Sequence, residues 1–158
     1  MMAIEKAREY FRQFGMEDKV LEFSESSATV ELAAKAVNCK PERIAKTLSF
    51  SLGAQCILIL TAGDAKIDNA KYKTRFAAKA RMLSPEEVLE KTGYPVGGVC
   101  PFGVSGEIDV YLDISLKRFS TVFPACGSGN SAIELTIPEL EKYSNSKEWV
   151  DVCKGWIV

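Results

Sequence analysis

With 158 residues, 47% hydrophobic and 26% charged, the chain has the make-up of one globular domain, 1–158, large enough to bury roughly 68–70% of its unfolded surface without a disulfide or metal staple. Its formal net charge of −1 provides no overall field to draw in a polyanion, so any nucleic-acid contact must come from a local patch. The absence of histidine excludes Ser–His and Cys–His nucleophile pairs, and five widely spaced cysteines without a C-x-x-C pair argue against a structural zinc site.

In chain order, Ile4, Ala7, Phe11 and Phe14 share one stripe of a predicted helix over 3–14, stopped by Gly15. This N-terminal stretch lacks the apolar core of a signal peptide. The longest apolar run, Cys56 to Leu60, is too short to span a bilayer, so a reduced, cytoplasmic protein without a membrane partner is expected. A short strand around Val20 to Phe23 leads through a polar turn at 24–27 to Thr29, which can cap a helix carrying Val30, Ala33, Ala34 and Val37 inward. Pro41 suits the first position of a helical turn over 41–45, followed by an extended segment from Thr47 to Leu52 with Lys46 at the junction. After the Gly53-Ala54 turn, Cys56 to Thr61 fits a central strand buried on both faces.

Residues 66–81 read as a helix bearing six basic side chains, Lys66, Lys71, Lys73, Arg75, Lys79 and Arg81, against one acid, Asp68. Such a face is either solvated or meets a phosphate backbone. Ser84-Pro85-Glu86-Glu87 combines a cap, proline at N1 and glutamate at N3, and opens a helix that Gly93 closes. From Gly93 to Gly103, four glycines and two prolines in eleven positions rule out a helix interior or central strand. Tyr94, Val96, Val99 and Phe102 mark that loop as packed. It is either an ordered crossover or a place where bare N–H groups approach a carbonyl oxygen, an oxyanion or a phosphate. Strands are expected at 108–113, 119–123 and 132–136. A second small-residue loop lies at 125–131, Thr136-Ile137-Pro138-Glu139 opens a further capped helix, and 148–158 ends as a strand or docked tail. The whole is a mixed α/β (α+β) domain, a mixed sheet with helices packed around it.

Taken singly, the candidate chemical groups are ambiguous. The Gly127 to Ser131 loop is no P-loop, Cys100 and Cys126 lack an activating histidine, and Lys46 alone reads as a solvated lysine. Together they carry more. Ile44-Ala45-Lys46-Thr47-Leu48, Gly63-Asp64-Ala65-Lys66-Ile67-Asp68, Leu83-Ser84-Pro85-Glu86-Glu87-Val88, the 93–103 loop, Val110-Tyr111-Leu112-Asp113, and Ala125-Cys126-Gly127 before Ile133-Glu134-Leu135-Thr136 resemble, in order, the YbaK/ProX family. Its members are free-standing relatives of the editing domain of bacterial prolyl-tRNA synthetase, and the likeness runs from about Thr29 to Tyr143.

The resemblance implies a partly barrel-like sheet and an aminoacyl-tRNA deacylase that hydrolyses the ester of mischarged tRNA, of the proline-tRNA type or bearing a small amino acid such as Ala, Cys, Ser or Thr. It implies Lys46 and the Gly97-Gly98 backbone as the catalytic groups. Substrate contacts fall on Thr29, Thr47, Pro101, Gly127, Ser128, Gly129 and Asn130, with Asp113 in a supporting place. The tRNA phosphates would meet Lys66, Lys71, Lys73 and Arg75. No metal, cofactor or DNA is expected, and a synthetase or elongation factor could deliver the aminoacyl-tRNA. Cys126 stands where relatives commonly have alanine, and Ile114 where a glutamate often follows the aspartate. A non-catalytic tRNA- or nucleotide-binding module, a small-molecule cysteine esterase and a partner-binding regulatory domain are the competing readings.

Overall fold

The computed structural model describes residues 2–157. Its centre is β3 (Gln55–Ala62), every residue of which except Gln55 is buried. That is the mark of a strand covered on both faces. It pairs antiparallel with β2 (Ile44–Leu52) and parallel with β5 (Asp109–Asp113). β6 (Thr121–Pro124) and β8 (Leu135–Thr136) extend the sheet beyond β2, and β9 (Glu148–Val150) extends it beyond β5, giving the order β8-β6-β2-β3-β5-β9. The mixed six-stranded sheet curls into a half-barrel, in agreement with the expected fold class. Two separate antiparallel ribbons accompany it, one from β1 (Leu21–Glu22) and β7 (Ser131–Ala132), the other from β4 (Lys66–Ile67) and β10 (Cys153–Lys154).

Helices pack around this sheet. α1 (Ala3–Arg12) buries Ile4, Ala7 and Phe11, and the Phe11 ring lies 4.7 Å from that of Phe102 in the glycine loop. α2 (Val30–Val37) starts on the Thr29 hydroxyl, which accepts the Leu32 N–H, and lays Ala33 and Ala34 against Ile44 and Phe123. α4 (Pro85–Thr92) and α5 (Ile137–Ser144) both open with complete capping boxes, Ser84 with Glu87 and Thr136 with Glu139.

Four expectations are corrected. The helical turn after Pro41 is a 3-10 turn that ends at Arg43, and β2 begins at Ile44, because pairing with β3 runs on to Ala45 opposite Ala62. Lys46 therefore lies inside a strand, opposite Thr61. The basic helix is only α3 (Asn69–Phe76): Lys66 and Ile67 pair with β10, Asp68 caps the helix by accepting the Ala70 and Lys71 N–H groups, and Ala77 ends it in the left-handed region at φ +56°. The 132–136 strand divides into β7 and β8, which pair with different partners. The strand expected at 119–123 begins at Thr121, after a 3-10 stretch over Ile114–Arg118.

Candidate functional site

β2, the start of α2, α4 and the glycine loop enclose a cleft of about 500 Å³. Lys46, Thr47, Leu48 and Ser49 supply its floor, Thr29 and Val30 one wall, Pro85 and Val88 another, and Val96, Gly97 and Val99 the third. Most of this lining is apolar. Lys46 is its one ionisable side chain, half-buried and without a hydrogen bond or ion pair among the described residues. Burial holds the Lys46 ammonium below the ordinary lysine value, opposed by Cys153 and Asp64 nearby and reinforced by the positive Lys66. Asp64 is itself committed to Arg118 through contacts of 2.9 and 2.5 Å. The Lys46 ammonium thus has no carboxylate partner of its own among the described residues.

Two further polar groups of the lining residues make no hydrogen bond among the described residues. The Thr47 hydroxyl is buried and accepts and donates no hydrogen bond among the described residues. The loop supplies the second group: Pro95 to Gly98 form a type II turn in which Gly98 N–H donates to Pro95 O at 3.0 Å and Gly97 takes φ +94°, a conformation that favours glycine. No described hydrogen bond uses the Gly97 N–H, whereas that of Gly98 is spent within the turn. Gly98 is buried behind the wall and holds the second glycine loop: its carbonyl accepts the Gly127 N–H at 2.9 Å, and a Cβ there would come within 2.5 Å of Ser128 N.

The remaining sequence-derived residues separate by place. Thr29 and Thr47 line the cleft with Lys46 and Gly97. Gly127, Ser128, Gly129 and Asn130 stand outside its lining and work as a brace: Ser27 N–H donates to Gly129 O at 2.6 Å, Phe23 N–H to Asn130 O at 2.7 Å, and Asn130 Nδ2 back to Phe23 O at 2.9 Å. That brace fixes the wall at Ser27 to Thr29. Pro101 faces a separate cavity of about 240 Å³ beside Tyr10 and Lys142. Asp113 is fully buried and accepts the Ser115 and Val152 N–H groups, both at 2.9 Å, tying β5 to the segment before β10. Of the basic side chains, Lys71 is held by Asp151 at 3.0 Å and Arg75 by Glu148, while Lys66 and Lys73 are exposed and without an ion pair among the described residues.

Sequence reasoning missed Met82 and Val96, both exposed residues of the cleft lining. Met82 reaches the site by bridging Phe50, a long-range pairing with no local signal. The thiols fare differently. Full burial pushes Cys100 up to about 12 and Cys126 also upward, so neither is a thiolate near neutrality and neither lines the cleft.

Fold and site together define a single-domain α/β protein with an apolar cleft that presents one unpaired ammonium and a free backbone amide. The chain belongs to the aminoacyl-tRNA editing domain family, whose model matches residues 24–143. It is 60% identical over 156 residues to the uncharacterised protein YwhH of Bacillus subtilis strain 168, covering 98% of this chain and 99% of that one. It is 34% identical over 104 residues to a proline–tRNA ligase of Halalkalibacterium halodurans, covering 65% of this chain but only 18% of the ligase. The chain spans about a fifth of the length of such ligases. A crystal structure described as that of a candidate trans-editing enzyme for prolyl tRNA synthetase superposes with a TM-score of 0.87 at 28% identity, covering 97% of this chain and 98% of that one.

Proposed function

We propose that the protein is a free-standing aminoacyl-tRNA deacylase, a hydrolase that releases a small amino acid from mischarged tRNA, with tRNA of the proline type as the natural carrier. The observation that carries this reading is the unpaired, half-buried Lys46 ammonium lining the same cleft as Gly97, whose N–H is unused among the described residues. An aminoacyl ester is already activated. Water adds to its carbonyl carbon, negative charge gathers on the carbonyl oxygen, and the bond to the ribose oxygen then breaks as that oxygen takes up a proton. Gly97 N–H and the Lys46 ammonium are the groups that meet the developing charge, in a cleft with a mostly apolar lining. Membership of the editing family and the likeness to the ligases support tRNA as the carrier. The apolar lining supports a small, uncharged amino-acid side chain.

The test is release of labelled amino acid from tRNAs charged with alanine, cysteine, serine, threonine or proline, by the wild-type protein and by Lys46→Ala. Release from one or two of these, slowed about a hundredfold or more in the variant, is expected, since loss of one oxyanion donor costs about 3 kcal/mol. Absence of release from all five, with uncharged tRNA still bound, would replace the deacylase reading with that of a non-catalytic tRNA-binding module.

A further inference from the structure

The β4–β10 ribbon carries an arrangement that the cleft chemistry does not use. Lys66 and Lys154 are direct cross-strand partners, so their side chains stand on the same face. Both are exposed, and the alternate pair, Ile67 and Cys153, turns inward, with Cys153 fully buried. Like charges placed directly opposite one another destabilise a ribbon unless something of opposite charge lies between them. Among the described residues, no carboxylate forms an ion pair with either lysine. Of the nearby carboxylates, Asp64 is taken by Arg118, Asp151 by Lys71, and Asp68 accepts the Ala70 and Lys71 N–H groups at the head of α3, feeling Lys154 only through space.

The ribbon starts just after β3, whose last residue, Ala62, pairs with Ala45 beside Lys46, so it lies next to the cleft without lining it. Cys153 lies close enough to Lys46 for each to bias the other's ionisation, and the charge of Lys66 also bears on Lys46. One two-stranded element therefore lies close to Lys46 on its buried side and shows, on its outer face, two ammonium groups without an ion pair among the described residues. Sequence reading placed Lys66 on a helix and passed over Lys154, since only the long-range pairing brings them together.

We infer that Lys66 and Lys154 form a clamp for an RNA phosphodiester, gripping the single-stranded 3′ end of tRNA as it enters beside Lys46. The inference rests on the deacylase reading for the identity of its ligand. The clamp fixes the strand, and the cleft receives the ester. Loss of the clamp weakens binding without altering the chemical step.

The experiment compares wild type, Lys66→Ala, Lys154→Ala, the double variant and a control, Lys19→Ala, with two readouts. The first is fluorescence anisotropy of a short labelled single-stranded RNA of tRNA 3′-end sequence, titrated over a range of salt. The second is kcat and KM for amino-acid release from charged tRNA. Each ribbon lysine removed is expected to reduce the slope of log affinity against log salt by about 0.7, the value for one single-strand phosphate contact, with the control unchanged. KM is expected to rise with kcat kept. Melting of the double variant at or above the wild-type temperature is expected, because a repulsive pair has been removed.

Wild-type affinity and salt slope in the double variant would overturn the clamp and leave the deacylase reading standing. Failure of the wild type to bind the RNA would overturn it as well, and so would a marked fall in melting temperature, which would assign the lysines to the fold. A lysine-dependent slope in a protein that releases no amino acid would keep the clamp and sink the deacylase.

Discussion

Thr47 carries what a folded protein normally avoids, a buried hydroxyl without a partner among the described residues, and Lys46 beside it in β2 is a half-buried ammonium without an ion pair. An ammonium whose pKa is lowered on folding binds its proton less tightly in the native state, so the unfolded chain holds more protons between the lowered value and 10.5, the ordinary lysine value. Stability then rises with pH across that window. Lys46→Met should therefore melt above wild type at pH 7, with the advantage shrinking as pH approaches 10.5, and differential scanning calorimetry at several pH values would read this. A pH-independent difference would mean that the ammonium carries no desolvation cost. Thr47 invites a paired comparison with Tyr72, whose hydroxyl is also buried without a partner, its ring packed against Phe50 and Phe76. Thr47→Val and Tyr72→Phe should each gain about 1 kcal/mol, or roughly 2–4 °C in melting temperature. Only Thr47→Val should slow amino-acid release, because only Thr47 lines the cleft.

At the scale of elements, the two glycine loops behave as one part, zipped by Gly127 N–H to Gly98 O. Their glycines answer to different demands. A Cβ at Gly98 would press on the Ser128 backbone at 2.5 Å, and one at Gly127 on Ala3 O at 2.5 Å with φ already at +96°, so Gly98→Ala should lower the melting temperature by several degrees and Gly127→Ala by more. Gly97→Ala meets only Ala28 Cβ, at 3.1 Å, but strains a turn at φ +94° and re-aims the free N–H, so its loss should fall on catalysis more than on stability. Thermal melts read beside release rates separate these cases. The same elements explain what the sequence could disclose. Ser84 with Glu87 and Thr136 with Glu139 announce their helices because a capping box is a signal within four residues, and β3 announces itself by an unbroken apolar run. Lys66 and Ile67 gave no such signal: a two-residue strand whose partner lies far along the chain leaves only its helix-compatible neighbours to be read. Lys46 and Thr47 were legible as site residues only through the family resemblance, and Met82 and Val96 were not, since an exposed apolar side chain in a cleft lining has no local pattern.

For the whole molecule, the half-barrel keeps its thiols out of reach. Cys56, Cys100, Cys126 and Cys153 are buried, and Cys39 alone of the five is partly open. Iodoacetamide on the native protein should therefore alkylate Cys39 first and leave amino-acid release intact, with the other four reacting only on unfolding, as mass spectrometry of timed samples would show. Early inactivation tracking Cys100 or Cys126 would revive a cysteine-based mechanism. One further consequence follows from the pairing of Lys66 with Lys154 and of β5 with β9. As the polypeptide leaves the ribosome, β2 with Lys46 and then β3 emerge well before β9 and β10, which extend the sheet and complete the cationic ribbon. A nascent chain stalled before residue 148 would thus carry Lys46 and the cleft floor without the ribbon beside them, and the proposed lysine clamp forms only once Lys154 has been made.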